Sequence, residues 1–203
     1  MKEKFLKAKQ LIQDGNYKEL LRKTVKCFVG KFYNIYVREL LFKKMQKDSR
    51  FRVGDSWLQY LDGNLLKGGI INRPVWKYEV DKLKIGDIKY FYCGELVPLS
   101  STLVYDYLVT GNEESYKMHA RVRFKNALHL TGEVLSSRVN EDLARFKNTV
   151  NIITNKGYDI RSGAIIVNQD NTLLDGVHRL CILLNLFGPE HEISVLRIYY
   201  INL

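Results

Sequence analysis

Cysteine is scarce: Cys27, Cys93 and Cys181 are an odd number, far apart and without a C-x-x-C pair. That excludes a disulfide framework and a thioredoxin-like redox motif, and predicts buried or free thiols in a reducing compartment. No apolar run approaches the ~18 residues needed to span a bilayer. Lys and Gln interrupt the first residues too often for a signal-peptide core, so the expected location is cytoplasmic. His119, His129 and His191 share no metal-ligand spacing with Cys or carboxylates, which argues against a zinc site. There are no repeats and no low-complexity segments. The stretch Gly63-Asn64-Leu65-Leu66-Lys67-Gly68-Gly69 has glycines but lacks the Lys-Ser/Thr of a phosphate loop.

Acidic residues are short in one place only. Residues 1–50 carry 14 Lys/Arg against 5 Asp/Glu, whereas the other 153 residues carry 18 against 17. The net charge of +10 therefore belongs almost wholly to the N-terminal segment, and the body is near neutral. A DNA-binding domain spreads positive charge over its working face, so this split argues against nucleic acid as the partner of residues 51–203. Hydrophobic content of 46% with 27% charged residues fits a folded protein, and 203 residues allow one ordinary domain plus an extension.

Residues 2–14 and 16–29 space Phe5, Leu6, Leu11, Ile12, Tyr17, Leu20, Leu21, Val25 and Phe28 among lysines and arginines in a roughly helical period. A third stretch, Phe32 to Lys47, has the same character. Three readings of this arm stand: its apolar face packs on the domain, it lies on anionic lipid or a membrane-bound partner, or it contacts nucleic acid. The second would place the protein peripherally at the inner face of a membrane.

Residues 50–76 are punctuated by Gly54, Gly63, Gly68, Gly69 and Pro74 and read as turns around short elements. Residues 82–98 alternate enough for one or two strands. Ser100-Ser101-Thr102 offers an N-cap for a helix over Leu103 to Val109, closed by Gly111. Residues 116–131 are ambiguous; Arg121, Arg123 and Lys125 alternate with Val122 and Phe124 like a strand with a basic face, either solvated or lining an anionic-ligand pocket. Asn140 predicts the N-cap of a helix to Asn155, with Leu143, Phe146, Val150 and Ile153 on one face and Gly157 beyond it. The thirteen tyrosines are what a packed core and its rim require, and are not evidence for base stacking.

The most informative segment follows. Ala164-Ile165-Ile166-Val167 reaches the polar turn Asn168-Gln169-Asp170-Asn171, then Thr172-Leu173-Leu174-Asp175-Gly176-Val177-His178-Arg179, then an apolar stretch of helical length to Leu186. This predicts strand, hairpin turn, short strand, glycine corner and helix, with a last strand over Ile193 to Ile201. Gly176 lets the chain turn where first-turn amides have no intrahelical partner, and those amides favour an anion. His178 and Arg179 add cationic donors, and Asp175 stands at the rim. The bland reading is a tight turn in which Asp175 caps the helix and His178 and Arg179 are solvated.

The order of helix, Gly157, strand, Asp170 turn, Leu174-Asp175-Gly176-Val177-His178-Arg179, helix and strand resembles the ParB/sulfiredoxin superfamily over residues 140–201. The superfamily includes CTP-binding partition proteins, ATP-using sulfiredoxins and free-serine kinases that use ADP or ATP. Sulfiredoxins need a cysteine where this chain has Val177. Partition proteins show Gly-Glu-Arg-Arg in the corner and a helix-turn-helix domain after it, whereas 24 residues follow Arg179 here. The kinase branch, with Asp-Gly before His-Arg, matches best.

That resemblance implies an α+β domain, a small mixed sheet packed with helices, over residues 51–203. It implies a phosphate cradle made by the amides of Gly176 and Val177 with His178 and Arg179, and Asp175 positioning Mg2+ or the accepting hydroxyl. A general base is expected near the end of the first domain strand; Glu95 is nearest, with Asp106, Glu113 and Glu114 as alternatives. The implied activity is that of a small-molecule kinase, moving a phosphoryl group from ATP or ADP (CTP is a further option) to a hydroxyl on a small or sugar-like acceptor. The alternative is a non-catalytic nucleotide- or nucleic-acid-binding module.

Overall fold

The computed structural model describes residues 38–47, 75–92 and 94–200. The helical stretches expected over 2–14 and 16–29, the glycine-rich residues 63–69, Cys27 and Cys93 lie outside them. The chain forms two compact units: residues 1–49, 54–77 and 200–203 make one, and residues 50–53 and 78–199 the other. In the first, helix α1 (Arg38–Lys47) falls within the stretch expected to be helical, with Lys44 and Lys47 in the last turn where cations complement the helix dipole.

The second unit mixes sheet and helix, consistent with the α+β class that the resemblance implies. Its four-stranded sheet has the order β1-β6-β4-β5, from β1 (Val75–Lys84), β4 (Ile166–Asn168), β5 (Leu173–Asp175) and β6 (Glu192–Tyr200). β4 and β5 are an antiparallel hairpin, while β4 and β6 run parallel, joined across α5 (Val177–Phe187). β4 is buried throughout and β6 nearly so, which is why apolar residues dominate both. A separate two-stranded ribbon pairs β2 (Phe91–Tyr92) with β3 (Glu95–Leu96). Just before it, Lys89 bridges to Thr172 and tethers the ribbon's approach to the β4–β5 hairpin.

Three helices lie between the ribbon and β4. Helix α2 (Leu103–Thr110) starts where the Thr102 hydroxyl accepts from Tyr105 N at 3.2 Å and ends at Gly111, as its capping residues predict. Helix α3 (Glu113–Leu128) is capped by Asn112. The basic strand expected over 121–125 is thus a helix. Tyr116, Ala120 and Phe124 are buried at four-residue intervals, and this period overrides an alternation only five residues long. Helix α4 (Gly132–Lys156) begins eight residues before Asn140, because Leu135 and Val139 continue the apolar stripe of Leu143, Phe146 and Ile153. Asn140 itself is exposed in mid-helix.

The core gathers Val104, Tyr116, Phe124, Phe146, Ile165, Val167, Leu180 and Leu183 between the helices and the sheet. Cys181 lies inside it with no exposure, its thiol pushed up to about 11 by burial, which makes it an inert packing group. Among the described residues no helix is long and apolar enough to cross a membrane.

Candidate functional site

The corner at the start of α5 is built by its hairpin. At the β4–β5 turn, Asn168 Oδ1 accepts from Asp170 N at 2.9 Å and Thr172 N at 2.8 Å, an Asx turn of the kind its sequence predicts. The buried Arg197 of β6 clamps the turn, donating to Asn171 Oδ1 at 2.7 Å and to the carbonyls of Asn168 and Gln169, while Asp81 of β1 neutralises it at 2.9 Å. With the hairpin so fixed, β5 delivers Asp175 and Gly176 to one place. Asp175 Oδ1 accepts from Gly176 N at 2.8 Å.

Gly176 has φ +99°, and a Cβ there would lie 3.0 Å from Ile165 Cα. Both the backbone twist and the close strand approach require glycine. Helix α5 then begins with no side chain capping it, so its first-turn amides keep their appetite for an anion. The side chain of Val177 packs on the core, leaving its backbone amide as what it can offer.

Arg179 turns toward Gly163. A Cβ on Gly163 would meet the guanidinium at 2.8–3.0 Å, and Nη1 donates to the Ala164 carbonyl at 3.3 Å. The guanidinium is half-buried, and among the described residues no carboxylate pairs with it. Beneath it the Tyr158 hydroxyl accepts from Ile165 N, its own ionisation pushed up to about 12 by burial. A half-buried cation with no counter-ion among the described residues, beside an uncapped helix start, is a composition that an anion completes.

His178 turns the other way, into a ring cluster. Its imidazole lies 5.1 Å from Phe146, 5.5 Å from Tyr116 and 5.4 Å from His119 between centroids, with the two Nε2 atoms 3.3 Å apart. Burial, with His119 and Arg123 nearby, pulls its pKa down to about 3. His178 is therefore neutral at pH 7, which corrects the expectation of a second cationic donor. Behind the rings, buried Asp142 accepts from the Tyr116 hydroxyl at 2.8 Å, Arg123 at 2.7 Å and Arg145 at 3.0 Å. Burial works to raise its carboxyl, but Arg123 and Tyr116 outweigh that and hold it below the usual carboxylate range.

Asp175 and residues 176–179 are thus brought together, but Glu95 is not placed among them. It is exposed on β3, outside the four-stranded sheet, and stands across from Tyr92. Asp106 holds Ser115 Oγ, and Glu113 and Glu114 are tied to Lys147, Lys117 and Arg121. A hollow of about 570 Å3 lies toward the other end of α5 at Leu184 and Pro189 and includes no residue of the corner. What sequence reasoning missed is the set Tyr116, His119, Arg123 and Asp142. The first three form one stripe at helical spacing, a signal that is visible only once 113–128 is taken as a helix.

No family model, curated protein or solved structure matches this chain, so the site is interpreted from its own geometry.

Proposed function

We propose that the second unit is a ParB/sulfiredoxin-like domain whose Gly176–Arg179 corner binds the polyphosphate of ATP or ADP, with CTP as a further candidate, and that it transfers a phosphoryl group to a hydroxyl of a small or sugar-like acceptor. The observation that carries the reading is the pairing of an uncapped α5 start with the Arg179 guanidinium, half-buried and without a carboxylate partner among the described residues. Phosphoryl transfer asks a protein mainly for this kind of help, alignment of donor and acceptor plus neutralisation of equatorial charge. The amides of Val177 to Arg179 and the Arg179 side chain are the phosphate ligands, the Gly176 amide being held by Asp175 Oδ1; His178 contributes its amide and a neutral ring. Asp175 is the carboxylate at hand for Mg2+, and one carboxylate with substrate phosphates is a common way to hold that ion.

A second reading, a non-catalytic nucleotide module, draws support from Asp175 itself, whose Oδ1 already serves the Gly176 amide. Thermal-shift screening of nucleotides with and without magnesium tests both, because a ligand of the native state raises Tm. In the kinase reading Asp175→Asn leaves nucleotide affinity nearly intact and lowers turnover at least ~100-fold. Full turnover in Asp175→Asn makes that residue a structural cap, and tight binding with no turnover in the wild type favours the module. The basic residues 1–50, of which α1 is described, form in this proposal a peripheral contact with anionic lipid that high salt abolishes.

A further inference from the structure

A smaller hollow of about 150 Å3 opens between the β2–β3 ribbon and helices α2 and α3; its one link to the α5 corner is the contact of His119 with His178. Cavities of that size accommodate a single six-membered ring. Tyr90 just before the ribbon, Tyr92 of β2, Leu103 of α2 and Val122 of α3 wall it, with Ser101 and His119 as polar points. Tyr92, Leu103 and Val122 keep their apolar surface exposed at its rim. Among the described residues no Asp, Glu, Lys or Arg lines it. A charged ligand would lose water there without meeting a counter-charge, whereas a neutral ring with hydroxyls keeps its hydrogen bonds and gains apolar contact.

His119 links this hollow to the corner. It lines the pocket, and its Nε2 meets the Nε2 of His178, the second residue of α5. Either ring can donate across this contact; in the tautomer whose Nε2–H donates to His178, His119 Nδ1 keeps its lone pair, and among the described residues that atom has no hydrogen-bond partner. Ser101 Oγ donates to the Pro98 carbonyl at 2.7 Å and retains lone pairs for an incoming hydroxyl.

We infer that this pocket holds the acceptor of the phosphoryl transfer, that the acceptor is a neutral hydroxyl compound of one-ring size such as a single pyranose, and that His119 Nδ1 takes the proton of the attacking hydroxyl. The inference rests on the nucleotide reading of the corner. In the step, the acceptor oxygen bonds to the terminal phosphorus of a nucleoside triphosphate as the bond from that phosphorus to its bridging oxygen breaks. The bridging oxygen leaves with the bonding pair on the nucleoside diphosphate, and the hydroxyl proton passes to His119.

Among the described residues the charged and titratable groups around His119 are Tyr116 and Arg123 on α3, Asp142 on α4, His178 on α5, and Tyr90 and Tyr92 across the pocket. Burial and Arg123 keep its pKa below the ordinary histidine value against the pull of Asp142, so it is unprotonated at neutral pH and able to accept. The rate of transfer then falls as pH drops through that value.

The test uses the full chain with methyl β-glucopyranoside and L-serine as probes. The glucoside shifts the His119 imidazole resonances in NMR titration and serine does not. Val122→Trp, which fills the rim, weakens glucoside binding at least about tenfold while calorimetry gives unchanged ATP affinity. With ATP, magnesium and the glucoside, His119→Asn lowers turnover at least ~100-fold and removes the acid limb of the wild-type pH profile. If ATP binds but the glucoside leaves His119 unmoved, or serine moves it instead, the pocket assignment is overturned and the corner stands. If ATP itself fails to bind, the nucleotide reading falls and this inference with it. A ~100-fold loss in Glu95→Gln with none in His119→Asn makes Glu95 the base and overturns the role of His119. Should His119→Asn not fold, a wild-type profile flat on the acid side does the same.

Discussion

His178 and Arg179 are neighbours in one motif, yet they occupy opposite environments. Arg179 lies over Gly163 with a carbonyl and, among the described residues, no carboxylate for company, so its charge is left for an external anion. His178 is packed against Tyr116, Phe146 and His119, and burial strips it of charge. A helix separates consecutive side chains by about 100°, so two basic letters in a row supply one cation to each side at most. Here one side keeps it and the other does not. The anion site thus depends on Arg179 and backbone amides, while the His178 side is a polar network that reaches through His119 to a neutral pocket.

The largest effect is expected from removing what both sides share. Gly176→Ala places a side chain at φ +99° and 3.0 Å from Ile165 Cα, costing about 3 kcal/mol in strain and overlap. Urea unfolding measures it, and a loss under about 1 kcal/mol would mean the corner yields more freely than its packing implies.

Next comes the response to acid on the His178 side. Its folded pKa of about 3 lies below its ordinary 6.5, so the unfolded chain binds the extra proton between those values. Stability is then fully present above pH 6.5 and falls with acid through that window, at up to about 1.4 kcal/mol per pH unit. The lowered pKa of His119 acts in the same direction. His178→Phe should flatten the slope of unfolding free energy against pH; an unchanged slope would place the titration elsewhere.

Asp142→Ala should cost about 1–3 kcal/mol, chiefly because the buried Tyr116 hydroxyl loses its acceptor. Asp142→Asn, which can still accept from Tyr116, should lose less in the same denaturation assay. The smallest effect belongs to Arg145. It touches the same carboxylate at 3.0 Å but is 60% exposed, so Arg145→Gln should stay within about 0.5 kcal/mol of wild type. A loss comparable to that of Asp142→Ala would show the network to be more tightly coupled than exposure suggests.

The legible parts of this chain were those governed by local signals. Thr102, Gly111, the Asn168 turn, Gly176 and the apolar run to Leu186 each specify a nearby backbone event, and each stands where the pattern places it, the helix running one residue further to Phe187. The N-terminus of α4 was hidden because Asn140, a good cap in isolation, sits exposed on a helix whose apolar stripe had already begun at Leu135. The charge state of His178 was illegible for another reason. It is set by Tyr116, His119 and Phe146, which come from two other helices, and no spacing within the motif reports them. The clamp of Arg197 on the 168–171 turn is likewise a long-range fact.

Calorimetric titration of ATP with magnesium into wild type, Arg179→Ala and His178→Phe tests the contrast between the two sides most directly. Loss of the Arg179 guanidinium should weaken binding by about 1.5–3 kcal/mol, roughly 10- to 150-fold. His178→Phe keeps the backbone amide and the ring packing, so affinity should remain within about threefold, less than one hydrogen bond's worth. Equal losses in the two variants, equal affinity in all three proteins, or no binding by the wild type would contradict the account.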